Sequence, residues 1–211
     1  MTARNKQGNE VAVTNYGGAV VAIMMPDKDG NYANLIQGHD NIQDVINSPE
    51  PFLSVLIGRY GNRIKEGKFI LHGKEYQLAC NDGPNHLHGG PTGFHTKVWD
   101  ATRMSDSAVV LKYTSPYGEE GFTGELTVWV AYTLTDDNEF VIKYHGTILD
   151  QIVLVWLDGA RNKRVQPFHK IINKDGYEYD YTMMKRGTAI SALKNFKDYP
   201  DECIPVLIEA I

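Results

Sequence analysis

Glu125-Leu126-Thr127-Val128-Trp129-Val130-Ala131-Tyr132-Thr133-Leu134-Thr135 decides the fold class. Leu126, Val128, Val130 and Tyr132 recur at every second position, with Glu125, Thr127, Trp129 and Ala131 between them. Successive side chains of a strand point to opposite faces, so a period of two predicts a strand that presents a continuous apolar face. β-branched and aromatic residues dominate the stretch, as a pleated surface favours. Asp136-Asp137-Asn138 then turns the chain, and Phe140, Ile142 and Tyr144 carry an apolar face onward.

The same pattern repeats toward the N-terminus. Glu10-Val11-Ala12-Val13-Thr14 alternates and stops at Tyr16-Gly17-Gly18, a turn signal. Residues 19–25 read as a buried strand closed by Pro26-Asp27. Phe69-Ile70-Leu71 and Tyr76-Gln77-Leu78 flank His72-Gly73-Lys74, which predicts a short hairpin. Strands separated by polar turns, with almost no helical period, predict a mainly β fold built as an antiparallel β-sandwich.

The pattern changes after Asp150. Residues 151–157 form one more apolar run, and 158–180 are polar and irregular, broken by Gly159, Pro167 and Gly176. Met183, Met184, Ala189, Ile190, Leu193 and Phe196 follow a helical period. Tyr199-Pro200-Asp201 interrupts it, and Ile204, Leu207, Ile208 and Ile211 share one helix face. The expected organisation is therefore a sandwich portion over 1–150 and a divergent α-helical tail over 151–211. The two short amphipathic helices of that tail resemble one HEAT-like hairpin, or else pack as a pair on the sandwich.

A chain of 211 residues suffices for one domain, or one domain with a fragment of another. Its net charge of −5 argues against a nucleic-acid partner, whose binding surface would carry a basic excess. Residues 1–150 hold 12 Lys and Arg against 18 Asp and Glu, while 151–211 hold 9 against 8, so the tail differs in character. Cys80 and Cys203 lie far apart and read as buried or idle thiols. The first ten residues are polar, and no run approaches the ~18–20 apolar residues of a spanning helix, so the expected setting is the cytoplasm, off the membrane.

Two loops carry the chemistry. Gly58-Arg59-Tyr60-Gly61-Asn62-Arg63-Ile64 is rich in arginine, and Leu87-His88-Gly89-Gly90 carries a histidine before two flexible residues. They lie on either side of the predicted hairpin. Arg63 beside Asn62 offers several fixed donors for vicinal hydroxyls; its blander reading is a surface ion pair with Glu66. His88 is either a titratable group near neutrality or a turn histidine satisfied by backbone, and Gly89-Gly90 would let the chain bend close to a ligand. Trp99 reads as a core aromatic. His86, His88, His95 and His72 could supply imidazoles to a metal, yet no Asp, Glu or Cys spacing completes such a set, and no metal or cofactor is expected. Phosphate-cradling and serine-hydrolase motifs are missing.

Further blocks extend these loops: Asn15-Tyr16-Gly17-Gly18; Gly67-x-Phe69; Asn81-x-x-x-Asn85; Gly93-Phe94 with Trp99; and Tyr117-Gly118-Glu119-Glu120-Gly121-Phe122-x-Gly124. In this order, residues 10–147 resemble the N-terminal half of the aldose 1-epimerases, or galactose mutarotases. The resemblance implies a large antiparallel β-sandwich and interconversion of the α and β anomers of an aldose such as galactose or glucose. Mutarotation protonates the ring oxygen while a base removes the anomeric hydroxyl proton, after which the C1–C2 bond turns and the ring closes on its other face. The resemblance assigns Asn62, Arg63 and His88 to an aldohexose, with His88 beside the ring as the one catalytic position matched.

The chain also departs from that family. Its second histidine, the ring-oxygen acid, should follow His88 by some seventy residues, but 151–162 reads Gln-Ile-Val-Leu-Val-Trp-Leu-Asp-Gly-Ala-Arg-Asn. His169 lies just beyond, in an unlike context, and the family's glutamate base is expected past Ile211. Two functions therefore compete: an epimerase-like protein, truncated and of low activity, and a carbohydrate-binding or interaction module without turnover. Half of a large sandwich also leaves strand edges that invite self-association.

Overall fold

The computed structural model describes residues 1–71 and 73–148, together with the backbone of 179–183. Strands β1 (Thr2–Arg4), β2 (Glu10–Val13), β3 (Val20–Pro26) and β4 (Tyr32–Asn34) form one antiparallel sheet in sequence order. A short helix α1 (Ile42–Ile46) follows, capped by Asn41, whose side chain accepts the Asp44 N–H at 3.0 Å. Two small antiparallel pairs come next: β5 (Arg63–Ile64) with β8 (His86–Leu87), and β6 (Lys68–Leu71) with β7 (Lys74–Gln77). The second pair is the hairpin expected around Gly73. The larger sheet holds β9 (Asp100–Ser105), β10 (Ala108–Ser115), β11 (Leu126–Leu134), β12 (Phe140–Ile148) and β13 (Tyr179–Met183), in the order β13-β12-β11-β10-β9.

β11 behaves as its period of two demands. Leu126, Val128, Val130, Tyr132 and Leu134 enter the main core with Val109 and Leu111 of β10 and Tyr144 of β12. Val11, Val13 and Val20 close that core from the smaller sheet, so the two sheets face each other across it. Trp129 and Ala131 point the other way and pack with Val110 and Met104. The layers are also cross-linked by hydrogen bonds. The Tyr132 hydroxyl donates to the Gly18 carbonyl at 2.7 Å inside the core, and Arg4 N–H donates to the Asp106 carbonyl at 2.7 Å. At the rim, the Asn138 side-chain oxygen accepts from Asn5 and Asn9 at 2.7 and 2.5 Å, which holds the Asp136-Asp137-Asn138 turn against the first loop.

Three expectations need adjustment. β3 is half-buried along most of its length, because after the buried Val20 only Ile23 and Met25 pack on the core. Cys80 is exposed and free, its thiol directed at the Pro84 carbonyl at 3.1 Å; Cys203 lies outside the described residues. Residues 179–183 form an edge strand on β12, where irregular chain up to Asp180 and a helical period from Met183 were expected. Tyr-Asp-Tyr-Thr-Met carries the β-prone residues a ladder uses, and a short helical period does not outweigh them. The rest of the tail, including both expected amphipathic helices, lies outside the described residues.

Candidate functional site

β5 and β8 bring the two loops together. Arg63 pairs with Leu87 and Ile64 with His86. One step further, His88 N–H donates to the Asn62 carbonyl at 3.0 Å, and Asn62 N–H donates to the His88 ring nitrogen Nδ1 at 2.9 Å. The two residues are thus tied by two bonds. Both have left-handed backbones, with φ of +70° at Asn62 and +51° at His88, a conformation uncommon outside glycine and concentrated at functional positions. Because Nδ1 accepts, a neutral His88 ring carries its proton on Nε2. The geometry therefore builds a donor imidazole.

Arg63 lies alongside. Its Nε donates to Asp82 Oδ2 at 2.5 Å and an Nη reaches the Asn62 side-chain oxygen at 3.4 Å. Asp82, not Glu66, is therefore its carboxylate partner. The loop that carries Asp82 is fixed by the Asn81-x-x-x-Asn85 spacing. Asn81 makes a two-way bond to the Leu87 backbone, accepting its N–H at 2.7 Å and donating to its carbonyl at 3.0 Å. Asn85 accepts the Glu66 N–H at 3.1 Å. More than half of the Arg63 side chain remains exposed, so the pair contributes little stability and leaves the guanidinium reachable.

The other arginine of the motif does something else. Arg59 is 2% exposed and spends its donors inside the protein. Nε donates to Ser115 Oγ at 2.7 Å, one Nη to the carbonyls of Thr123 at 3.1 Å and Gly124 at 2.8 Å, and the other to those of Ser115 and Pro116, both at 2.8 Å. Burial pulls its pKa down to about 10 against the supporting charge of Glu119. Glu119 is itself half-buried. Burial alone would raise its pKa, but hydrogen bonds from Lys97, Ser115 and Tyr113 prevail and hold it below the usual carboxylate range. This network clamps the Tyr117–Phe122 motif under the arginine loop. The sequence reading gave Arg63 a role and left Arg59 without one, since spacing alone does not report burial.

Gly89-Gly90 meets a need within the protein itself. A Cβ at Gly89 would run into the backbone of Gly58, and one at Gly90 into the Glu120 side chain. The glycines permit loop-against-loop contact, which locks His88 beside Asn62. Glu120 is held in turn by the Thr92 N–H at 2.7 Å and by its hydroxyl. Trp99 is core, as expected, and donates its indole N–H to the Phe94 carbonyl at 3.2 Å. The histidines diverge. His86 is fully buried against Phe122 with Nδ1 2.7 Å from the Ala79 carbonyl, and His95 is buried on another segment. His88 leaves the strand period through its left-handed backbone, so it does not share a direction with His86. His169 lies outside the described residues.

Comparison with known proteins gives a consistent answer. The family model described as aldose 1-epimerase matches residues 1–155. Galactose mutarotase from Bos taurus is 40% identical over 136 residues, which is 64% of this chain and 39% of that protein. Aldose 1-epimerase from Escherichia coli (strain K12) is 33% identical over 148 residues, 70% of this chain and 42% of that one. An aldose epimerase homologue from C. elegans superposes with a TM-score of 0.70 at 30% identity, covering 74% of this chain and 48% of that structure. Galactose 1-epimerase from Lactobacillus acidophilus NCFM superposes with a TM-score of 0.63 at 27% identity, covering 73% and 45%. This chain thus spans less than half the length of these relatives. On the matched family model and the shared fold, the chain belongs to the aldose 1-epimerase family.

Proposed function

We propose that the chain binds an aldohexose, such as galactose or glucose, between the loops of Asn62-Arg63 and His88, in the service of interconverting α and β anomers. The observation that carries this reading is the reciprocal Asn62–His88 tie with the Arg63 guanidinium alongside. An imidazole locked as an Nε2–H donor suits a sugar oxygen, and a guanidinium with a neighbouring amide suits vicinal hydroxyls. Membership of the family supplies the substrate class and the reaction. Polarimetry on freshly dissolved α-D-galactose tests it: anomerisation above the buffer rate that falls on His88→Ala supports the reading, and a rate equal to buffer refutes turnover by this chain.

A second reading has its own support. Among the described residues, Asp82 is engaged by Arg63 and Glu120 by Thr92, so neither carboxylate stands open to the anomeric hydroxyl as a base. On this reading the loops bind sugar without converting it. Calorimetry showing galactose binding that Arg63→Ala abolishes, with no polarimetric activity, would separate it from the first. Two features of setting belong to the same proposal. The exposed free thiol of Cys80 suits a reducing compartment, hence the cytoplasm, which cell fractionation checks. The fully exposed edge strand β4 invites self-association, which light scattering checks by giving either a dimer or a clean monomer.

A further inference from the structure

Phe52 sits between two imidazoles. Its ring centroid lies 4.8 Å from that of His88 at 63° and 4.8 Å from that of His95 at 60°. The three rings come from three separate segments: the loop between α1 and β5, the end of β8, and the 3-10 turn Phe94–Thr96. The two histidines are anchored independently. His88 is held through Asn62, and the His95 main chain abuts Gly17 so closely that no side chain fits there. His95 is 5% exposed and its Nδ1 has no hydrogen-bond partner. An orphaned buried nitrogen is unfavourable, and an apolar side chain could fill the same space without it, so the ring needs another reason. Burial, reinforced by the nearby His88 and Lys97, lowers its pKa to about 4. A neutral, rigid ring therefore backs Phe52 at physiological pH.

We propose that Phe52 and His95 are positioning residues for His88: Phe52 sets the tilt of the imidazole, and His95 holds Phe52 in place. This rests on the aldose reading given above. An aromatic face favours a ring edge, so the contact selects one inclination of the His88 ring. Asn62 N–H selects which nitrogen carries the proton. The two constraints together aim Nε2–H in one direction, as placement of a donor against a single sugar oxygen requires.

The test uses the full chain with ¹⁵N-labelled histidine and three variants: Phe52→Leu, His95→Ala and His95→Phe. Loss of an aromatic contact of this kind weakens galactose binding about threefold to tenfold in Phe52→Leu and His95→Ala, read by calorimetry. In both variants the His88 ring, its tilt no longer fixed, swings off the Asn62 N–H, and its ring nitrogens shift from one defined tautomer toward a mixture. His95→Phe, which keeps a ring behind Phe52, retains affinity within about twofold and leaves the His88 ring signals unmoved. Unchanged His88 ring signals in Phe52→Leu and His95→Ala would overturn the proposal. Should His95→Ala fail to fold by circular dichroism, Phe52→Leu decides alone, since Phe52 is only half-buried. A wild-type chain that binds no galactose refutes the aldose reading, while the ring signals still decide the positioning.

Discussion

Replacing Arg59 by alanine tests whether the motif's first arginine is a clamp. The substitution removes five hydrogen bonds; the Pro116 carbonyl keeps the Glu119 N–H at 3.2 Å and the Ser115 hydroxyl keeps the Glu119 carboxylate, but the buried carbonyls of Thr123 and Gly124 lose the guanidinium that satisfies them. An orphaned buried acceptor costs about 1–3 kcal/mol, although water entering beside exposed Tyr117 would satisfy some of them. Removing the buried charge also gives back desolvation, which the lowered Arg59 pKa shows to be substantial. Breaking one side of a buried charged network typically nets about 3–5 kcal/mol. Urea unfolding at 25 °C, with a slope of about 2 kcal/mol/M, should show the midpoint falling by about 2 M. Arg59→Lys should recover only a fraction, because an ammonium cannot span the four carbonyls. Arg63→Ala, at an exposed pair, should cost under about 1 kcal/mol. A loss below about 1 kcal/mol for Arg59→Ala would refute the clamp.

Acid should destabilise the fold before its carboxylates titrate. His95 and His145 are held near pKa 4 by burial, against 6.5 when unfolded, so the unfolded chain binds more protons between those values. Stability is therefore lost as pH falls from about 6.5 to about 4, by up to about 3 kcal/mol per histidine, and His95→Phe should flatten that part of a urea-midpoint profile. Gly89→Ala, which drives a Cβ into the Gly58 backbone, should lose more than about 2 kcal/mol and detach His88 from Asn62, seen as loss of protection of the Asn62 amide in hydrogen exchange. Asn138→Ala should cost about 2–3 kcal/mol by thermal unfolding, from the three lost side-chain bonds and a φ of +62°. Asn138→Gly should recover the backbone share alone.

Much of the fold was legible because strands write themselves at a period of two. Leu126 to Tyr132 gave the core face of β11, and Phe140, Ile142 and Tyr144 the continuing face of β12, since every second side chain had to be apolar. The pairing of the Asn62 and His88 loops was legible in outline from motif order. What spacing does not encode is which of two like residues is buried. Arg59 and Arg63 differ by four positions, yet one is sealed under Ser115 and the other stands on the surface. Nor does spacing report contacts between remote segments. The Phe52 ring between His88 and His95 joins positions more than thirty residues apart, and the Gly89 contact with Gly58 exists only once β5 and β8 pair. The helix α1 was not read from the sequence, because five residues are too few to show a helical period.

The central claim is that Asn62, Arg63 and His88 together grip one aldohexose. Titrating the ¹⁵N-labelled chain with D-galactose and following amide and ring signals tests it most directly. The account predicts saturable shifts concentrated at Asn62, Arg63 and the His88 ring, and their disappearance in Arg63→Ala. Saturable shifts elsewhere that leave these three residues unmoved, or no shifts at millimolar sugar, would contradict it.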